Sequence, residues 1–152
     1  MPAKQKIKTF LWFDDNAEEA AAYYVAAFKD SKITHVNRNG EKAFVVEFTL
    51  AGVDYVALNG GPMFKLTEAV SLMVSTEDQA ETDKLWDYLV AGGQPSRCGW
   101  LKDKFGLSWQ IVPKRFMELM LQGTPEARGR VMGAMMQMGK FEIDKLEAAA
   151  KG

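Results

Sequence analysis

The chain holds one histidine, His35, and one cysteine, Cys98. A single imidazole cannot pair with a second on a metal, and a lone thiol cannot build an internal disulfide framework. A nucleophilic Cys98 would need a base or a helix N-terminus to lower its pKa. Only Arg97, Lys102 and Lys104 stand close to it along the chain, so a half-buried structural thiol is the expectation. His35 falls on an expected edge strand and reads as a surface residue. Asp14-Asp15 has the chemistry for acid–base work, but the helix that follows draws its cap from these residues or Asn16. Gly60-Gly61-Pro62 offers the backbone of an anion nest; a turn between two modules is the plainer reading.

The aromatic residues make the more informative group. Trp12, Tyr55, Phe64, Trp100 and Trp109 are spread over several strands and loops, with Asn59, Ser108, Gln110 and Cys98 as their polar company. Small-molecule sites are ordinarily aromatic-lined clefts with a few polar groups that fix orientation. The expected ligand-binding set is therefore Trp12, Tyr55, Asn59, Phe64, Cys98, Trp100, Ser108 and Gln110. No catalytic residue stands out, and no cofactor is expected.

The elements that must position these residues follow from periodicity. Residues 7–13 alternate Ile7, Thr9, Leu11 and Phe13 against Phe10 and Trp12, a strand expected to be covered on both faces. Asn16-Ala17-Glu18-Glu19 resembles a capping box, and Ala20, Tyr23, Tyr24, Ala27 and Phe28 form a stripe, predicting a helix over 16–28. Strands follow at 32–37, 43–50 and 53–59. The turn at Asn39-Gly40 separates the first two, and a two-residue Ala51-Gly52 loop would pair Phe48 with Tyr55 and Val46 with Ala57. After Gly60-Gly61-Pro62 the order repeats: a strand at 69–75, a helix capped by Asp78 with Leu85, Trp86, Leu89 and Val90 as its stripe, and short strands at 94–98, 100–103 and 107–113. A shift of sixty-three residues lays Asp15-Asn16-Ala17-Glu18 over Asp78-Gln79-Ala80-Glu81 and Tyr23 over Trp86. An internal duplication is expected.

The reading is thus an α+β fold of one domain, 1–152: two βαβββ modules (6–59 and 68–113) and a C-terminal helical tail (114–149). In the tail, Thr124 caps a helix with Pro125 at its first position. Val131, Met132, Met135, Met136 and Met138 line that helix, and Phe141, Ile143 and Leu146 a second. The methionine stripe suits either packing on the domain or contact between subunits.

Nineteen basic residues balance twenty acidic ones without a basic stripe, which argues against nucleic acid as a partner. The basic start is followed by only seven residues before Asp14-Asp15, too few for a signal-peptide core, and nothing approaches a membrane span. A cytoplasmic protein is expected.

Four segments carry a resemblance: Phe10-Leu11-Trp12-Phe13-Asp14 with Ala17-Glu18-Glu19-Ala20 and Tyr23-Tyr24; Ala57-Leu58-Asn59-Gly60-Gly61-Pro62; Cys98-Gly99-Trp100-Leu101-Lys102-Asp103; and Phe105-Gly106-Leu107-Ser108-Trp109-Gln110-Ile111-Val112-Pro113. Together they resemble the 3-demethylubiquinone methyltransferase-like (PhnB-like) branch of the glyoxalase/bleomycin-resistance/dioxygenase superfamily, the vicinal oxygen chelate proteins, over about residues 6–146. The resemblance implies paired βαβββ modules with curled sheets, a site in the concave interior and symmetric homodimers. It also implies a divalent metal held by His, Glu or Gln on the first and last strand of each module. On the expected alignment the inward positions are Lys8, Phe10 and Trp12; Tyr55, Ala57 and Asn59; Ala69, Ser71 and Met73; and Ser108, Gln110 and Val112. Only Gln110 falls where a ligand would be wanted, and a neutral amide oxygen alone is a weak donor, so no metal is expected. The methyltransferase in the branch's name would suggest a glycine-rich turn after the first strand, where this chain has Phe13-Asp14-Asp15-Asn16. The expected function is metal-free binding of a small organic molecule in an aromatic-lined cavity. The alternatives are a metal-free enzyme acting there, or a methyltransferase-like activity.

Overall fold

A computed structural model describes residues 5–152. These fall into two compact units, the first ending at Leu66 and the second beginning at Thr67.

The first unit runs β1 (Thr9–Phe13), α1 (Ala17–Val25), β2 (Lys32–Asn39), β3 (Lys42–Leu50) and β4 (Val53–Asn59). Its sheet has the order β1-β4-β3-β2, with β1 parallel to β4 and the other pairs antiparallel. Leu50 pairs with Val53 across Ala51 and Gly52, both at positive φ (47° and 83°), as a tight primed turn demands. That turn fixes the register, and Phe48 lies opposite Tyr55 and Val46 opposite Ala57 as the sequence predicts. Leu11, Phe13, Val46, Phe48 and Ala57 are buried with Ala17, Ala20, Ala21 and Tyr24 of α1. Phe48 stacks on Tyr55 at 5.4 Å and meets Tyr24 at 6.4 Å. α1 is shorter than expected, and its start is built differently. Asn16, at φ −118° and ψ 28°, makes no side-chain cap; Ala17 N–H instead donates to Asn59 Oδ1 at 2.8 Å. Nor is β1 covered on both faces, since Phe10 is 57% exposed.

The second unit repeats the plan with β5 (Ser71–Thr76), α2 (Gln79–Val90), β6 (Gln94–Pro95), β7 (Trp100–Lys102) and β8 (Ser108–Pro113). Its order, β5-β8-β7-β6 with β5 parallel to β8, matches that of the first sheet. Neither four-stranded sheet closes into a barrel, and the α+β pairing of two modules stands. Asp78 caps α2 as expected, accepting from Glu81 N–H at 2.9 Å. β6 stops at Pro95, short of the predicted strand, because Cys98 and Gly99 turn the chain at positive φ (60° and 81°) and Trp100 N–H folds back onto Arg97 C=O.

Three helices complete this unit: α3 (Lys114–Gln122), which the sequence reading left unresolved within the tail, α4 (Pro125–Met135) and α5 (Ile143–Lys151). Thr124 caps α4, accepting from Ala127 N–H at 3.1 Å. Val112, Val131, Met138, Phe141 and Leu146 form their buried cluster, so part of the methionine stripe packs within the chain, while Met132 and Met136 stay exposed. Gln79 binds the tail to α2, donating to Phe141 C=O and accepting from Ile143 N–H. Phe141 in turn lies against Gly99, where a Cβ would come within 2.4 Å of its ring. No helix among the described residues is long and apolar enough to cross a membrane.

Candidate functional site

In β-sheets, residues paired in register share a face and neighbours along a strand alternate. Leu11 pairs with Ala57 and Phe13 with Asn59, on the face that carries α1; Trp12 pairs with Leu58 and Phe10 with Val56, on the face away from it. This corrects the expected inward set. Tyr55, Ala57 and Asn59 lie on the α1 face, opposite to Trp12, and Asp54, Val56 and Leu58 share Trp12's face instead. The error was one residue of register on β4, which exchanges every side chain between faces.

Trp12 is half-buried and held from two sides. Its indole N–H donates to Gly61 C=O at 2.9 Å, and the Phe64 ring meets it edge-on at 4.9 Å. The Gly60-Gly61 segment lies against it as a bracket. Gly60 N–H donates to Phe13 C=O and Gly61 N–H to Asp14 C=O, extending the β1–β4 ladder past its last pair. A Cβ on Gly60 would lie 2.4 Å from the indole. The Gly60-Gly61-Pro62 segment therefore serves the close approach to Trp12. Phe64 is 59% exposed, so the pair presents aromatic surface beside the half-buried Val56 and Leu58.

Asn59 is occupied structurally: beyond its bond to Ala17, its Nδ2 donates to Ala43 C=O at 2.8 Å, joining β4, α1 and β3. Tyr55 packs on Phe48, and burial pushes its phenol pKa up. His35 is exposed on edge strand β2. Asp14 and Asp15 line an acidic cleft of about 620 Å³ with Glu18, Glu19 and Glu41. Only Lys42 brings positive charge to its lining.

In the second unit the same register logic separates the aromatic residues. Trp109 pairs with Leu101 and Leu72 on the α2 face. It is 1% exposed, and its indole N–H donates to the buried Asp103 at 2.8 Å. Trp109 is thus core, which corrects its place among the cavity residues. Asp103 also accepts from Phe105 and Leu107 N–H; the sequence places it at the end of the 100–103 strand, and no local pattern announces this buried carboxylate. On the opposite face, Lys102, Ser108 and Ser71 form one row and Trp100, Gln110 and Met73 the next. Gln110 Nε2 donates to Ser71 Oγ at 3.0 Å. Cys98 is half-buried, and its backbone N–H donates to Met138 C=O, so its segment holds the tail. Trp12 and Phe64 come together in the first unit, Trp100, Ser108 and Gln110 share a face in the second, and Tyr55 and Asn59 turn towards a core.

A divalent metal does not suit the donors present. On the faces away from the helices the first and last strands carry Phe10, Trp12, Asp54, Val56 and Leu58 in one unit and Ser71, Met73, Ser108 and Gln110 in the other. Asp54 already accepts from Thr49 Oγ1 at 2.8 Å. Among the described residues no group of three His, Cys, Asp or Glu side chains is placed to hold an ion.

Residues 5–112 match the family described as 3-demethylubiquinone-9 3-methyltransferase. The chain belongs to that family. Of the solved structures similar to this family member, a putative 3-demethylubiquinone-9 3-methyltransferase (PhnB protein) from Bacillus cereus is 32% identical. The match covers 72% of this chain and 99% of that one, with a TM-score of 0.68. A protein from Pseudomonas aeruginosa (17% identity, TM-score 0.60, 72% and 98% covered) and one from Arabidopsis thaliana (20%, 0.53, 72% and 99%) share the fold. No curated protein matches the sequence. The paired βαβββ modules are those that the sequence resemblance implies. The family match ends at Val112, before the helical tail.

Proposed function

We propose that this family member is a metal-free binding protein for a small apolar or aromatic compound, acting in the cytoplasm, with Trp12 and Phe64 as the main contact surface. The observation that carries this reading is the bracketed indole. Trp12 is pinned by Gly61 and Phe64 yet only half-buried, so it offers a preordered aromatic wall whose side-chain entropy is already lost. Charge chemistry has little place beside it. Lys8 pairs with Glu47 at 3.7 Å and Asp54 accepts from Thr49 Oγ1, which favours binding over acid–base catalysis. A methyl-transfer activity rests on the family's description alone.

The test pairs a fluorescence titration with a neutral probe, N-phenylnaphthylamine, and urea denaturation of Trp12→Ala. Probe affinity is expected to fall at least about tenfold, while stability falls by less than the roughly 3–5 kcal/mol of a packed Trp→Ala change. A stability loss on the packed scale with unchanged probe binding would make Trp12 a core residue and refute the reading.

A further inference from the structure

Ser108 opens β8 on the second sheet's face away from α2, between Lys102 and Ser71 in register. It is 1% exposed, and its Oγ is the one buried side-chain polar atom with no hydrogen-bond partner among the described residues. A buried hydroxyl left unpaired is unfavourable, and such groups in native folds call for a reason. Ser108 lines a cleft of about 140 Å³ with Trp100, Lys102 and Glu68. Lys102 and Glu68 form an ion pair in which the lysine is 38% exposed and the glutamate 65%. The pair holds the Glu68 carboxyl below its usual range. Glu68 itself belongs to no strand or helix, so it can leave the lysine without breaking a backbone ladder. The cleft thus brings together a cation, an unpaired hydroxyl and a half-buried indole, Trp100.

We propose that Lys102 and Ser108 bind the carboxylate of an aromatic acid whose ring lies against Trp100, and that Glu68 is the chain's own carboxylate which such a ligand displaces. A carboxylate accepts from both Lys102 Nζ and Ser108 Oγ–H, satisfying the hydroxyl with a charge-assisted bond. The site goes beyond the Trp12 surface and stands without it.

The probe is benzoate, with benzamide as its neutral control, followed by backbone-amide NMR. Benzoate is expected to shift the resonances of Trp100, Lys102 and Ser108, and benzamide to leave them in place. Glu68→Gln removes the competing carboxylate and is expected to tighten benzoate binding about two- to fivefold, the range of an exposed ion pair. Lys102→Met is expected to weaken it about tenfold. Ser108→Ala is expected to weaken it without lowering the melting temperature, because the hydroxyl has no partner to lose. Equal shifts with benzamide, unchanged affinity in Glu68→Gln, or a destabilised Ser108→Ala would each overturn the proposal. Loss of N-phenylnaphthylamine binding in Trp12→Ala reports on the other surface only, so the two readings fail separately.

Discussion

Gly60→Ala isolates the bracket around Trp12. Gly60 is not among the glycines at positive φ, so its backbone accepts alanine, and the change alone would stabilise by about 0.4–1 kcal/mol through the unfolded chain. The cost arises from the indole, since the new Cβ would lie 2.4 Å from two of its atoms and 2.7 Å from a third. Trp12 must move, and forced overpacking of this kind costs about 1–3 kcal/mol. Movement also removes the 2.9 Å bond to Gly61, worth about 1 kcal/mol. The edge-on contact with Phe64 adds about 0.5–1.5 kcal/mol. The net expectation is a loss of about 2–4 kcal/mol, or roughly 5–15 °C in melting temperature for a chain of this size. The assay is urea denaturation followed by circular dichroism, run on Gly60→Ala, Trp12→Ala and the double variant. With the ring gone the alanine has nothing to strike, so the coupling between the two changes should equal most of the Gly60→Ala loss. A Gly60→Ala cost that persists in the Trp12→Ala background would place the strain in the backbone and refute the account.

Three further outcomes are expected. Elemental analysis should find no stoichiometric divalent ion, and chelator should leave the melting temperature unchanged, since only a bound ligand adds linkage stability; one equivalent of Ni, Zn, Mn or Fe per chain would contradict this. The protein should form a two-fold homodimer, to which the exposed Met132 and Met136 would contribute; light scattering that finds a 17.0 kDa particle at tens of micromolar would count against it. Arg115 holds the Glu147 carboxyl below its usual range, so the pair's small stabilisation is present above about pH 4.3. It should be lost as the solution is acidified through the lowered pKa, and it is small because both side chains are partly exposed. Glu147→Gln should flatten this part of the acid melting curve.

Strand pairing was legible where the turn dictated it. Ala51-Gly52 admits one register, so Phe48–Tyr55 and Val46–Ala57 followed from the sequence. The facing of β4 against β1 was not legible, because parallel partners are joined by no short turn and alternation alone leaves two choices that differ by one residue. That ambiguity placed Tyr55 and Asn59 beside Trp12. Asn59 also displaced Asn16 from its capping role, a long-range bond no local pattern announces. Trp109 read as a cavity ring because no local pattern announces its bond to the buried Asp103. Asp78, whose cap is local, was read correctly.

The strand order of the first sheet sets a timetable. β1 is made first, yet it pairs only with β4, the last strand of its unit. β2, β3 and β4 are joined to their neighbours by short turns, and such local contacts form ahead of distant ones. A nascent chain therefore carries Phe10, Leu11, Trp12 and Phe13 without their sheet partner until residues 53–59 have been synthesised, a stretch prone to unwanted association in the interval. The indole waits longer still, for Gly60, Gly61 and Phe64. Its aromatic bracket is the last part of this unit to be finished, and pulse-labelled hydrogen exchange during refolding should find the β2–β3–β4 amides protected before those of β1.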